Sequence, residues 1–347
     1  MLAYPDGPRA RDRFVTGLRP PRPAHDPWRT HGVLVEDEPT ESGAVARVAT
    51  VFLTGRECPW RCVMCDLWQY TTEAATPPGA IAAQTSDAVR ELAGTPGVTR
   101  IKLYNAGSFF DPLAVPPADY DGVATATRGF DRVVVESHPS LVGPRTEAFI
   151  AALGRASWAD TGVGPCVGGH AAGASRLEVA MGLETAHPVA LDRLHKRVTL
   201  AAFARASDAL AAMGASLRVF LLVSPPFVPA AEQDEWLAQS VDAAFGAGAT
   251  VVSLIPTRHG NGAMDALLAA GEFRPPTLGD LERSLALALE RPRPAGARVL
   301  ADLWDLARFA SCPDCLDARR ARLHAMNLEQ WILPPVTCHH CDERSGR

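Results

Sequence analysis

The chain has 347 residues, of which 47% are hydrophobic and 21% are charged, and its formal net charge is −5. This composition excludes a disordered chain and a wholly basic nucleic-acid-binding surface. No apolar run reaches the ~18 residues that span a bilayer, and the polar, proline-rich and arginine-rich start does not resemble a secretion signal. We therefore expect a cytoplasmic globular protein with no membrane partner.

Residues 1–44 contain seven prolines and little periodicity, which predicts an irregular N-terminal arm. Its arginines could contact an anionic partner, although a solvated tail is the simpler interpretation; they are Arg9, Arg11, Arg13, Arg19, Arg22 and Arg29. Beyond the arm, short apolar segments alternate with helical ones. The predicted strands cover 49–54, 100–104, 132–136, 175–183, 217–223 and 250–255. The predicted helices cover 80–93, 117–127, 145–153, 200–213, 230–244 and 278–289.

Alternating strands and helices favour a parallel sheet with right-handed crossovers. Over about 210 residues, this pattern predicts an α/β fold, a partial (β/α)6 TIM-like barrel. We place the barrel at 45–295 and a small C-terminal four-cysteine metal-binding subdomain at 296–347. In such sheets, ligands bind beyond the carboxyl ends of the strands.

The loop after the first predicted strand carries three closely spaced cysteines, Cys58, Cys62 and Cys65. Three thiolates in one loop can hold three irons of a cubane cluster and leave the fourth iron open to a ligand. A zinc site would need a fourth donor, and the nearest histidines, His31 and His138, are far away in sequence. Three incidental buried cysteines are the remaining alternative.

This loop, directly after an apolar strand, resembles the signature of the radical SAM superfamily. Several further segments are similar to the archaeosine-biosynthesis radical SAM proteins and their bacterial relatives, which have an Elongator/MiaB/NifB-like core domain; they are 54–58, 64–68, 105–109, 136–137, 182–185 and 273–276. The resemblance implies a [4Fe-4S] cluster and S-adenosylmethionine, cleaved reductively to a 5′-deoxyadenosyl radical that abstracts hydrogen from substrate. It also implies an electron donor such as flavodoxin or ferredoxin, and it makes a modified nucleoside or tRNA the candidate substrate.

The resemblance also assigns cofactor-binding positions. Met64 is expected near the adenine. The turn after the second strand departs from the usual Gly-Gly-Glu but can still bind the amino group of the cofactor through main-chain carbonyls; it consists of Asn105, Ala106, Gly107 and Ser108. Ser137, at the end of the third strand, is a further expected contact.

Glu184 and Lys196 are the candidate catalytic residues, and Glu184 is also expected to bind the cofactor. A carboxylate at the mouth of a parallel sheet is costly to bury without a partner, which the cofactor ribose or Lys196 would supply. Lys196 lies shortly before a helix, where a cation is unfavourable without an anionic neighbour. The substrate could lie near His138, Arg258 or His259, although each could equally be a simple surface residue.

The C-terminal region contains two C-x2-C pairs, which are formed by Cys312 with Cys315 and Cys338 with Cys341. Four thiolates at this spacing fit a structural zinc ion or a second, closed [4Fe-4S] cluster, and the spacing alone does not separate the two. The basic segment 317–324 between the pairs could approach RNA phosphates. Cys166, in the glycine-rich stretch 156–175, is interpreted as incidental, with a hydrogen-donor or ligand role as the alternative.

The leading functional prediction is a radical SAM enzyme. One alternative is a non-catalytic iron–sulfur or zinc module that binds RNA, which predicts a basic surface and no cofactor pocket. The other is a radical methyl or methylthio transferase.

Overall fold

The computed structural model describes residues 3–158 and 175–344. The strands of this part of the chain form one eight-stranded sheet, in which the spatial order of the strands is their order in the sequence. They are β1 (Gly32–Pro39), β2 (Val45–Phe52), β3 (Val98–Tyr104), β4 (Arg132–Glu136), β5 (Arg176–Glu184), β6 (Ser216–Val223), β7 (Ala249–Pro256) and β8 (Arg298–Ala301). β1 is antiparallel to β2, and every later pair is parallel.

Helices connect the parallel strands and cover the sheet. They are α1 (Pro8–Gly17), α2 (Ala80–Leu92), α3 (Tyr120–Thr127), α4 (Pro144–Trp158), α5 (Pro188–Arg193), α6 (Leu200–Ala212), α7 (Gln233–Gly246), α8 (Ala263–Ala269), α9 (Leu278–Glu290), α10 (Leu316–Glu329) and α11 (His339–Arg344). The main hydrophobic core lies between these helices and the outer face of the sheet, where Ile101 and Leu103 of β3 are fully buried. No helix in the described part of the chain is both long and apolar enough to cross a bilayer.

The predicted α/β barrel is confirmed, and β2 to β7 correspond to the six predicted strands. The structure adds β1 and α1 within 1–44, where the sequence predicts an irregular arm, so that prediction is wrong for these segments. β1 escapes detection because its second half, with Glu36, Asp37 and Glu38, does not resemble an apolar strand. β8 was also missed, because four residues are too few to give a periodic signal.

The inner face of the sheet carries a buried ionic network. Glu38 pairs with Lys102 at 2.5 Å and with Arg218 at 2.8 Å, while Glu178 pairs with Arg218 at 2.7 Å and with Arg132 at 2.8 Å. Burial alone would raise the pKa of both carboxyls, but the neighbouring cations outweigh it and hold each pKa below its usual value. The network links five strands across the interior.

The two edge strands, β1 and β8, are bridged by α10, which packs against both. Asn327 accepts a hydrogen bond from the Ala301 N–H at 2.8 Å and donates one to the Ala301 carbonyl at 2.9 Å. Gln330 makes the same two bonds to Val299, each at 2.7 Å. These amides satisfy backbone groups that an edge strand leaves unpaired, so α10 covers the seam of the barrel.

Candidate active site

A cavity of about 940 Å³ occupies the barrel interior and opens among the loops that follow the parallel strands. It is lined by ten of the predicted site residues, which are Cys58, Cys62, Met64, Cys65, Ala106, Gly107, Ser108, Ser137, Glu184 and Lys196. The structure therefore brings the loops after β2, β3, β4 and β5 to one place, as parallel strand ends require.

The loop that carries Cys58, Cys62 and Cys65, here called the sulfur loop, is held by main-chain contacts from distant elements. The Val63 N–H donates to the Leu194 carbonyl at 3.0 Å, and the Asn261 side-chain amide donates to the carbonyls of Val63 and Cys65 at 2.9 and 3.1 Å. Asn261 follows β7, so the sulfur loop is fixed by a segment 198 residues away from Val63 in the sequence.

The three thiols interact electrostatically with one another. Burial is the main cause of their raised pKa values. It raises the pKa of Cys62 to about 12, and it raises the pKa of Cys58 and Cys65 as well. Buried thiolates at this site therefore need a strong positive partner, which fits metal ligation. In the described part of the chain, the sulfur atoms of these three cysteines do not all lie within 4.8 Å of one another.

The N-terminal arm is fastened to the sulfur loop through Glu57. Its carboxylate pairs with Arg19 at 2.8 Å, with Arg61 at 3.1 Å, and with Arg22. The guanidinium carbons of Arg19 and Arg22 also lie 4.7 and 5.8 Å from the centre of the Trp68 ring. Arg19 and Arg22 are held in contacts within the fold, so the interpretation of the arm as a solvated tail is wrong for them, and the alternative of binding an anionic partner finds no support in them.

The turn after β3 presents unsatisfied polar groups. Both polar atoms of the buried Asn105 side chain, and Oε2 of Glu136 at the end of β4, have no hydrogen-bond partner among the described residues. Burial raises the pKa of Glu136 to about 8, against an opposing effect of Lys196. Ser108 contacts Ser137, with 3.2 Å between the two hydroxyls. Buried polar groups without partners indicate a place for a polar ligand.

Glu184 and Lys196 form a buried ion pair, with 2.5 Å between Oε1 and Nζ. A bulge in β5 between Gly182 and Glu184 turns the carboxylate inward, and Glu184 adopts a left-handed φ of 69°. His195 and Arg197, on either side of Lys196, both have φ of 59°. Burial disfavours the lysine charge, but Glu184 and Cys62 outweigh it and raise the pKa of Lys196. Strained backbone at Glu184 and on either side of Lys196 is typical of a functional site.

The three candidate substrate-binding residues lie in different surroundings in the structure. His138 stacks on Trp60 of the sulfur loop, with 3.7 Å between ring centres, and its Nε2 contacts the Lys196 carbonyl at 2.9 Å. Burial and Lys196 lower the pKa of His138 to about 4, so the ring is neutral near pH 7 and positions its neighbours. Arg258 lines the cavity and pairs with Asp302 at 2.8 Å. His259 is not a lining residue; it is 45% exposed and contacts Asp265.

Trp60 and Trp304 line the cavity and were not predicted from the sequence, because aromatic residues in loops are common. Glu136 and Asn261 lie at or after strand ends, on the ligand-binding edge, but sequence reasoning assigned neither of them a specific role. Cys166 lies outside the described residues.

No family model matches the chain. Archaeosine synthase subunit beta from Methanosarcina acetivorans is 25% identical to it over 250 residues, which are 68% of this chain and 65% of that protein. Among solved structures, Elp3 from the archaeon Methanocaldococcus infernus, with residues 1–46 deleted, is 12% identical. It superposes with a TM-score of 0.51 over 81% of this chain and 63% of its own.

The chain shares the barrel fold of Elp3. The barrel that the sulfur-loop resemblance implied is thereby confirmed, and the similarity to archaeosine synthase subunit beta agrees with the resemblance seen in the sequence. The barrel is followed by the predicted C-terminal group of four cysteines, whose sulfur atoms all lie within 4.8 Å of one another. The matches span just under two thirds of the archaeosine synthase subunit and of Elp3, at 65% and 63% of their lengths.

Proposed function

We propose that this protein is a radical SAM enzyme that uses Cys58, Cys62 and Cys65 to hold a [4Fe-4S] cluster. The observation that carries the proposal is the convergence of the sulfur loop with the polar ends of β3, β4 and β5 on one cavity. When bound, the cluster supplies the electron that cleaves S-adenosylmethionine to methionine and a 5′-deoxyadenosyl radical, which abstracts hydrogen from the substrate.

The residues around the sulfur loop have the chemistry to hold S-adenosylmethionine. The Glu184–Lys196 pair offers both charge signs, and so can bind the carboxylate, the ammonium group or the ribose hydroxyls. The unsatisfied Oε2 atom of Glu136, which also lines the cavity, can form a hydrogen bond with the same ligand. Met64 lines the cavity and supplies an adaptable apolar contact for a ring.

Another part of the cavity wall carries side chains that suit a heterocyclic substrate. Phe52 and Trp304 meet edge-to-face at 5.2 Å, and Arg258 and Asp302 add charged hydrogen-bonding groups beside them. Aromatic faces next to polar groups recognise nucleobases by stacking and by hydrogen bonds to their edges. Together with the similarity to an archaeosine synthase subunit, this favours a modified nucleoside in tRNA as the substrate, with a flavodoxin or ferredoxin as reductant.

The alternative of a non-catalytic RNA-binding module is disfavoured. It predicts no cofactor pocket, whereas the cavity of about 940 Å³ is large. The basic segment 317–324, which this alternative would use to contact RNA, also makes contacts within the fold. Arg319 and Arg322 of α10 both pair with Glu282 of α9, at 2.5 and 3.3 Å.

The test is anaerobic reconstitution of the protein with iron and sulfide, followed by addition of dithionite and S-adenosylmethionine. We expect 5′-deoxyadenosine in the chromatogram. Cys62→Ser should lose both the cluster absorbance and the product, whereas Cys166→Ser, a matched exchange outside both cysteine groups, should keep them. Absence of 5′-deoxyadenosine from iron-loaded wild-type protein would refute the proposal, and S-adenosylhomocysteine in its place would favour methyl transfer.

A nucleoside substrate is tested separately, by adding unmodified and modified tRNA to the active protein. Product formation above the uncoupled level, with transfer of deuterium from labelled tRNA into 5′-deoxyadenosine, is the expected result. No tRNA-dependent change with active enzyme would contradict the substrate assignment while leaving the radical reaction intact.

A further inference from the structure

The four C-terminal cysteines are much more tightly grouped than a cubane cluster requires. The sulfur atoms of Cys312 and Cys338 are 3.9 Å apart, those of Cys315 and Cys341 are 3.7 Å apart, and all four lie within 4.8 Å of one another. Four sulfurs at 2.3 Å from a tetrahedral zinc ion are separated by about 3.8 Å. Cysteines of a closed cubane bind four different irons at separate corners, so their sulfurs are separated by roughly 6 Å.

We propose that Cys312, Cys315, Cys338 and Cys341 bind one structural zinc ion, and that this zinc fastens α10 over the seam of the barrel. The chain thereby contains two sulfur sites of different spacing. Within the described residues, the sulfur atoms of the sulfur loop do not all lie within 4.8 Å of one another, and this wider spacing suits a cluster. The C-terminal sulfur atoms do lie that close together, which suits a single ion.

The surroundings of the four thiols fit a closed zinc site. Cys312 and Cys315 are buried, at 3% and 4% exposure, so one side of the site is shielded from water. The Arg319 N–H donates to the Cys315 carbonyl at 3.0 Å, so its cation lies one turn along α10 from Cys315 and offsets part of the negative charge that four thiolates around a zinc ion carry. His340, a spare donor in the second pair, is 62% exposed and contacts Asp314 at 2.5 Å.

The site acts on the barrel through α10. Cys315 is the residue at which α10 begins, and Asn327, one of its last residues, makes two hydrogen bonds to the edge strand β8. His324 and Asn327 also line the large cavity. The zinc ion ties the start of α10 to the segment with Cys338 and Cys341, so both ends of the helix are fixed and the cavity wall is held in place.

The experiment measures both metals in full-length protein with the cluster reconstituted. We expect about one zinc and about four irons per chain, and zinc-edge X-ray absorption that gives four sulfurs at about 2.3 Å. Cys338→Ser should lose zinc and keep iron, and Cys62→Ser should do the reverse. Wild-type protein stripped of zinc by a chelator should show faster proteolysis within α10.

About eight irons without zinc, or a zinc ion with nitrogen or oxygen ligands, would overturn the proposal. Zinc retained by Cys338→Ser would do the same. If that variant fails to fold, the absorption spectrum of the wild-type protein decides. The outcome is independent of the proposed reaction, because zinc content is measured without S-adenosylmethionine.

Discussion

Gly182 is predicted to tolerate no side chain, because the space beside it is filled by the Glu184–Lys196 pair. A Cβ at this position would collide with Oε1 of Glu184 and Nζ of Lys196. Gly182→Ala must therefore push the pair away. Overpacking of a dense site costs about 1–3 kcal/mol. The side chains of Glu184 and Lys196 are only 9% and 12% exposed, so we expect a loss of about 2 kcal/mol, roughly thirtyfold in the folding equilibrium.

The assay is urea denaturation of matched proteins, combined with calorimetric titration of S-adenosylmethionine into reconstituted protein. Gly246→Ala, at the last residue of α7, adds the same methyl group where no atom lies within 4 Å. This control should leave the unfolding free energy unchanged or raise it by up to about 1 kcal/mol. Gly182→Ala should lower both the unfolding free energy and the affinity for S-adenosylmethionine.

A change of less than about 0.5 kcal/mol in the unfolding free energy of Gly182→Ala, with wild-type binding of S-adenosylmethionine, would contradict this prediction. Such a result would mean that the pair can move without cost, and therefore that the bulge in β5 does not hold it in place.

Three other predictions follow from the buried charges. Glu178→Gln should lower the unfolding free energy by about 3–5 kcal/mol in urea denaturation, because it leaves two buried arginines without their shared anion. Lys196→Met should abolish S-adenosylmethionine binding in calorimetry, whereas Lys102→Met, in the other buried lysine pair, should lower only the melting temperature. The melting temperature should also fall with acid. Glu41 has a pKa of about 2 in the fold, and the pKa of Glu38 and Glu178 is also lowered, so their stabilisation is complete above about pH 4.5 and is lost as the pH falls toward 2.

Each of these predictions has a contradicting outcome. Asp234→Asn removes one exposed partner of Arg283 and should cost under about 1 kcal/mol, so an equal loss in Glu178→Gln would show that burial does not matter. Equal losses of S-adenosylmethionine binding in the two lysine variants would contradict a specific role of Lys196 in binding that cofactor. A melting temperature that stays constant from pH 6 to about pH 3 would show that the carboxyls titrate normally.

The sequence determines much of this protein because its signals are local. Apolar segments with helical segments between them predict β2 to β7, since each strand is buried on both faces and reads as a short apolar run. The sulfur loop is visible because its three cysteines stand at close spacing in the sequence. The strand-end residues Glu184 and Ser137 are predictable because parallel strands place their carboxyl ends at one edge of the sheet.

The sequence gives less where a residue is defined by a distant partner. The basic segment in α10 reads as a surface for RNA, but Arg319 and Arg322 are held by Glu282 from another helix. His138 reads as a substrate contact, but Trp60 covers its ring. The spacing of the C-terminal cysteines in the sequence does not distinguish a zinc ion from a cluster. The distances between their sulfur atoms in the structure favour zinc.

Periodicity and spacing along the chain are enough to predict six of the eight strands in their order and to show the two cysteine groups, because both signals are local. How the barrel is completed depends on contacts between segments that are distant in the sequence. Glu38 is an interior residue solely because strand register places it beside Arg218, 180 residues away, and β8 is protected solely because the side chain of Asn327 reaches its backbone. Such contacts follow from the register and closure of the sheet, which no short segment encodes.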